Sequence, residues 1–154
     1  MRSSLILLAA LGACGGNGGD LTINITHDVC GAIGVTSTSQ TELHAAGIAA
    51  AIELWRAHGV RLLGDTTAAP IEIRFEPAAG AFRGLYDDES GVVFINSKIT
   101  DPEILSIVIA HELGHAFGLS HVTAYSSVMT DGNTTTRPTD LDQRALEALW
   151  GSCP

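Results

Sequence analysis

Three histidines and a glutamate fall within one short run of this chain, His111-Glu112-Leu113-Gly114-His115-Ala116-Phe117-Gly118-Leu119-Ser120-His121. On an α-helix His111 and His115 differ by only about 40° in direction and one turn in height. Their imidazoles then point at a common spot, which is what a tetrahedral zinc ion needs from two of its ligands. On a straight helix His121 would lie roughly 15 Å beyond His111 and on another face. The helix must therefore break, and Gly118 is placed to break it with a left-handed C-terminal turn. Three neutral imidazoles leave the ion its full charge and one position for water, whose pKa falls from about 16 toward 7. Glu112, next to the ligand face, is placed to accept the water proton as general base and deliver it to a leaving amine. The chemistry expected is hydrolysis at one catalytic Zn2+, with His111, His115 and His121 as metal ligands.

Such residues need a firmly held helix. Thr100 and Glu103 have capping-box spacing, and Asp101-Pro102 offers an N-cap followed by proline at the first helical position. Ile104, Leu105, Ile107, Val108, Ile109, Leu113 and Phe117 cover nearly the whole circumference, the pattern of a buried helix. Ionisable groups inside it require partners, which weighs against incidental histidines. Upstream, Leu21–Thr26 alternates as a half-buried strand, and the Ser/Thr cluster at 36–41 caps an Ala-rich helix running to about His58, stopped by Gly59. Ile71–Phe75 and Gly91–Asn96 read as strands, with Val60–Leu63 and Ala81–Tyr86 as further short ones. A last helix runs from near Thr139 to Gly151, with Leu141, Ala145, Leu149 and Trp150 offered to the core.

A chain of 154 residues, 45% hydrophobic and 16% charged, makes one domain with a buried core. Eight Lys and Arg against 17 Asp and Glu, a net charge of -9, exclude nucleic acid as a partner. Leu5–Ala13 is too short to span a bilayer. It follows Met1-Arg2-Ser3-Ser4 as in a secretory signal and ends in Leu11-Gly12-Ala13-Cys14, which resembles the lipobox of bacterial lipoproteins. That resemblance implies a signal peptide at 1–13, lipidation at Cys14, a Gly-rich tether at 14–19 and a domain over 20–154. The protein is then an outer-membrane or cell-surface lipoprotein, touching the membrane only through its lipid. An ordinary cleaved signal, giving a secreted or periplasmic protein, is the alternative. In an oxidising compartment Cys30 and Cys153 are a pair for a disulfide whose long loop would contribute about 4–5 kcal/mol. Two separate buried thiols are the alternative.

The HExxHxxGxxH run, with Ser127-Val128-Met129 downstream, is similar to the metzincin zinc endopeptidases and most like the matrixins. The resemblance implies that Met129 is the methionine floor beneath the histidines and Glu112 the catalytic base. It implies an α+β fold: a twisted mixed five-stranded sheet, an active-site helix, a second long helix and a C-terminal helix. Gly91–Asn96 would be the edge strand or its neighbour. Ile107, four residues before the first ligand, would shape a modest apolar substrate pocket. Val122 departs from the serine usual after the third histidine. His27, His44 and His58 read as surface or packing residues, not as a second zinc site. The acidic turn Asp87-Asp88-Glu89 reads as solvated, with Ca2+ the alternative. The function expected is a monomeric zinc endopeptidase acting on peptide or protein substrates. The competing readings are a non-catalytic zinc-binding surface lipoprotein and a zinc amidase acting on cell-wall peptides.

Overall fold

The computed structural model describes residues 23–38, 41–64, 70–123 and 126–153. The expected signal peptide 1–13, the tether 14–19 and the lipidation site Cys14 lie outside the described residues. Among the described residues, no helix is long and apolar enough to cross a membrane.

The chain runs β1 (Ile33–Ser37), α1 (Glu42–Arg56), β2 (Leu62–Gly64), β3 (Ile71–Glu76), β4 (Gly84–Asp87), β5 (Val92–Asn96), α2 (Pro102–Ala116) and α3 (Asp140–Trp150). The five strands form one mixed sheet in the order β2-β1-β3-β5-β4. β1 is parallel to β2 and β3, and β3 to β5, whereas β4 returns antiparallel to β5 and closes the sheet as an edge. This is the α+β architecture expected, and β5 is the neighbour of the edge strand. In β3, Ile71 and Ile73 are buried while Glu72 and Arg74 pair on the other face at 2.7 Å, the two-residue period of a strand. β5 is buried along most of its length and ends in the buried Asn96. That amide accepts from the N–H groups of Ala78 and Lys98 and donates to the carbonyls of Ala79 and Phe82. Asn96 thereby fixes the loop that leads into β4.

Helix starts follow local capping chemistry. Thr41 accepts from the His44 N–H at 3.2 Å to open α1, and Gly59, at φ +85°, follows its end. Asp101 accepts from the N–H groups of Glu103 and Ile104 at 2.9 and 3.0 Å, with Pro102 at the first turn of α2. α1 lies directly against α2. A Cβ on Gly47 would sit 2.8 Å from Leu105 Cδ2, so only glycine permits this approach. The fully buried Trp55 donates Nε1–H to the Ala110 carbonyl at 2.8 Å and meets Phe117 edge-on at 5.3 Å.

Three expectations are corrected here. The described part of the expected strand Leu21–Thr26, residues 23–26, joins no ladder. Ile25 instead donates to the Asp88 carbonyl at 3.1 Å, and its own carbonyl accepts from the Tyr86 hydroxyl at 2.9 Å. Its alternation reflects lapping over the β4–β5 turn. The first strand is β1, which takes up Thr36 and Ser37 from the cluster assigned to capping. On α3 Ala145 and Trp150 pack against the core as expected, but the buried positions are Asp142 and Leu146, whereas Leu141 and Leu149 are exposed. Asp142 is satisfied by hydrogen bonds, described below, and these turn its side of α3 inward.

Trp55→Phe keeps an aromatic ring at the α1–α2 contact but removes the buried Nε1–H bond and part of the ring volume. It should lower the unfolding free energy by about 1–3 kcal/mol in urea titration.

Candidate metal centre

The C-terminal end of α2 shows how the histidines are brought together. Phe117 N–H bonds back to Leu113, Leu119 N–H reaches the Gly114 carbonyl at 2.9 Å, and Gly118 N–H reaches His115 at 2.9 Å. Gly118 adopts φ +95°, so these bonds form a Schellman turn around a residue that must be glycine. The remaining carbonyls are also met: Ala116 by the His27 N–H at 2.8 Å and Phe117 by the Trp150 indole at 2.8 Å. Every carbonyl from Leu113 to Phe117 has a donor, as a buried helix end requires. The turn reverses the chain, and Val122 N–H then bonds to the Met129 carbonyl at 3.0 Å.

His121 comes back to the helix by this route. Its Nε2 lies 3.1 Å from Nε2 of His111 and 3.1 Å from Nε2 of His115. The candidate ligand atoms all fall within 4.8 Å of one another, and among the described residues this is the one cluster of such side chains. The far nitrogens set the tautomers. His111 Nδ1 faces the Val128 carbonyl at 2.7 Å, and His115 Nδ1 faces the Leu119 carbonyl at 2.7 Å. A carbonyl only accepts, so each Nδ1 carries the proton and each Nε2 presents a bare lone pair to the common point. Burial also holds both rings neutral. The His111 pKa is lowered chiefly by desolvation, and that of His115 is pushed down to about 4 by desolvation and then by neighbouring His111. Imidazole nitrogens at about 2.0–2.1 Å from a tetrahedral zinc sit roughly 3.3–3.4 Å apart. The observed separations fit that ion, with three protein ligands and no fourth among the described residues.

Met129 is almost fully buried beneath this cluster. A Cβ on Gly114, on the helix between the ligands, would collide with Met129 Sδ, so the two are in direct contact. The turn carrying Met129 is fastened from below. Asp142, buried at the N-terminal end of α3, accepts from the Ser127 hydroxyl, from Val128 N–H at 3.2 Å and from Thr139 N–H at 2.8 Å. Ser127 Oγ in turn accepts from Met129 N–H at 2.9 Å. Asn133 donates to the same Val128 carbonyl that holds His111, at 3.1 Å. Sequence reasoning did not assign Asp142 or Asn133. The Thr139-x-x-Asp142 capping-box spacing was the available signal for Asp142, and the structure forms that box.

Glu112 points away from the core of the sheet toward β4. It is 6% exposed, and a Cβ on Gly84 would lie 2.7 Å from its Oε1. Burial pushes the pKa of its carboxyl up to about 8.

The other expected site residues are placed as follows. Ile107 is fully buried on α2. Cys30 and Cys153 are joined by a disulfide, with Cα atoms 4.9 Å apart. His44 is buried in α1 and stacks on Phe75 at 3.8 Å, while His58 lies just past the helix. In the acidic turn, Asp87 holds the Glu89 N–H at 3.2 Å and the Ser90 hydroxyl, and Asp88 holds the Asn24 N–H at 2.7 Å.

Comparison with known proteins agrees with this geometry. The Matrixin family model matches residues 86–151. No curated protein is matched by sequence. Among solved structures, myroilysin is similar with a TM-score of 0.59 at 13% identity, over 85% of this chain and 98% of that one. A second myroilysin crystal structure gives 0.57 at 13% identity, over 83% and 86%. High choriolytic enzyme 1, a hatching-enzyme zinc protease from the medaka fish Oryzias latipes, gives 0.51 at 15% identity, over 77% and 88%. The fold is thus metzincin-like, and from Tyr86 to Gly151 the chain matches the matrixin family.

Proposed function

We propose that this protein is a zinc-dependent endopeptidase, with His111, His115 and His121 holding the metal and Glu112 acting as general base. The observation that carries the reading is the meeting of the Nε2 atoms of His111, His115 and His121 at one point, beside the buried carboxyl of Glu112. A structural zinc site closes with four protein ligands, whereas three leave a position for chemistry. Bound there, zinc would supply a Lewis acid that polarises a carbonyl and acidifies a water.

The chain's own groups complete the set. Glu112, its proton affinity raised by burial, takes a proton from the attacking water and passes it to the leaving amine. The carbonyls of Val128 and Leu119 keep His111 and His115 in the ligand tautomer throughout. The edge of β4 offers backbone groups to an extended peptide, the strand-addition mode of recognition. Zinc proteolysis by the fish hatching enzyme, on a similar fold, supports the same chemistry here. Together with the leader, the reading places the enzyme outside the cytoplasm, held by lipid on Cys14.

Two outcomes test this. On a quenched-fluorescent peptide library, the zinc-loaded protein should cleave. Glu112→Gln should keep one zinc per chain and lose about 10²–10⁴-fold in kcat/KM. Equal inertness of both forms with zinc bound would favour a zinc-binding lipoprotein or an amidase. Gly118→Ala forces a side chain into φ +95° at a strain of about 1–2 kcal/mol. It should weaken zinc affinity in competition with a chelator, because the turn delivering His121 is disturbed.

A further inference from the structure

The edge strand β4 does more than close the sheet. Asn96 N–H bonds to the Arg83 carbonyl at 2.9 Å, and the β4–β5 register pairs Leu85 with Phe94 and Asp87 with Val92. In an antiparallel ladder the backbone groups of alternate residues face the partner strand. Arg83, Leu85 and Asp87 therefore face β5, and the N–H groups of Gly84 and Tyr86 face the open edge.

Gly84 sits one outward-facing position before Tyr86. It is not among the glycines with positive φ, so its backbone conformation does not require glycine. Space does: a Cβ there would lie 2.7, 2.8 and 3.0 Å from Oε1, Cγ and Cδ of Glu112. Glycine inside a strand weakens it and marks a place where another group approaches closely. The approaching group is the carboxyl of Glu112. Tyr86 is itself immobilised, buried and bonded through its hydroxyl to the Ile25 carbonyl at 2.9 Å.

We propose that β4 forms the seat of the general base, with the missing side chain of Gly84 admitting the Glu112 carboxyl. Gly84 is then a positioning residue, acting on catalysis only through Glu112. This rests on the endopeptidase reading for its kinetic consequences, but the seat itself is a structural claim with its own readout.

Urea unfolding of the full chain, with and without zinc, reads the seat directly. Gly84→Ala should lower the unfolding midpoint in the parent and lower it by less than half as much in Glu112→Ala, where the side chain it meets is gone. Equal shifts in the two backgrounds would overturn the proposal, whether or not any peptide is cleaved. Kinetics test the role of Gly84. Gly84→Ala should lower kcat by about 10–100-fold with little change in KM and with zinc stoichiometry kept. Placed on Glu112→Asp, whose carboxyl is one methylene shorter, the same substitution should cost no more than about twofold. An equal loss in both backgrounds, or an unchanged kcat in Gly84→Ala, would overturn it. A parent that binds zinc and cleaves nothing would remove the endopeptidase reading and leave the unfolding result to decide the seat.

Discussion

Two imidazole nitrogens stripped of protons by their carbonyl partners, with the Nε2 of a third ring 3.1 Å from each, aim their lone pairs at one point and so call for a positive charge there. That electrostatic demand organises the rest of the molecule. A cation binds there only if the rings cannot rotate away or take up protons, so their orientation has to be imposed from behind. The imposing groups are backbone carbonyls in two turns, at Leu119 and at Val128, and each turn is held by bonds of its own. The Schellman turn uses Gly118, and the Val128 turn hangs from the carboxylate of Asp142. The rigidity of the site therefore originates outside the ligand set.

Much of this could be read before any coordinates, because it is local. The four-residue spacing of His111 and His115, the need for Gly118 to break the helix, and the Asp101-Pro102 start of α2 depend only on helix geometry and capping. The all-round apolar pattern of α2 likewise translated directly into burial, since it packs against the sheet, α1 and the turn carrying Met129. What escaped was decided at long range. β1 contains Gly34 and runs into a Ser/Thr cluster, so local propensity read part of it as a helix cap. Only pairing with β2 and β3 makes it a strand. On α3 Ala145 and Trp150 pack against the core as their apolar character suggests, but Leu141 and Leu149 do not. A buried carboxylate with several donors outweighs the exposure of Leu141 and Leu149.

Gly84 illustrates a different limit. A lone glycine in a short strand carries no periodic signal, and nothing in its neighbourhood announces a contact with Glu112, 28 positions later in the chain. Sequence singles out Glu112 but not the surface against which it rests. The same holds for Gly47 and Gly114, whose missing side chains admit Leu105 and Met129. In each case glycine is used for close approach and not for backbone freedom, a role that appears only when the elements are packed.

The accounting at the end of α2 also explains why the two ends of the described chain meet there. A helix that stops in the protein interior leaves carbonyls that water cannot reach. The Schellman turn satisfies those of Gly114 and His115, but Ala116 and Phe117 require donors from elsewhere. These come from His27, near the start of the described chain, and from the Trp150 indole, near its end. The Cys30–Cys153 disulfide joins the segments just beyond those two donors. The crosslink therefore secures two hydrogen bonds to the helix end that carries His115 and launches the loop to His121. On this view the disulfide contributes to the order of the metal centre as well as to the entropy of the unfolded chain, because the segments it joins are the ones that complete the helix terminus.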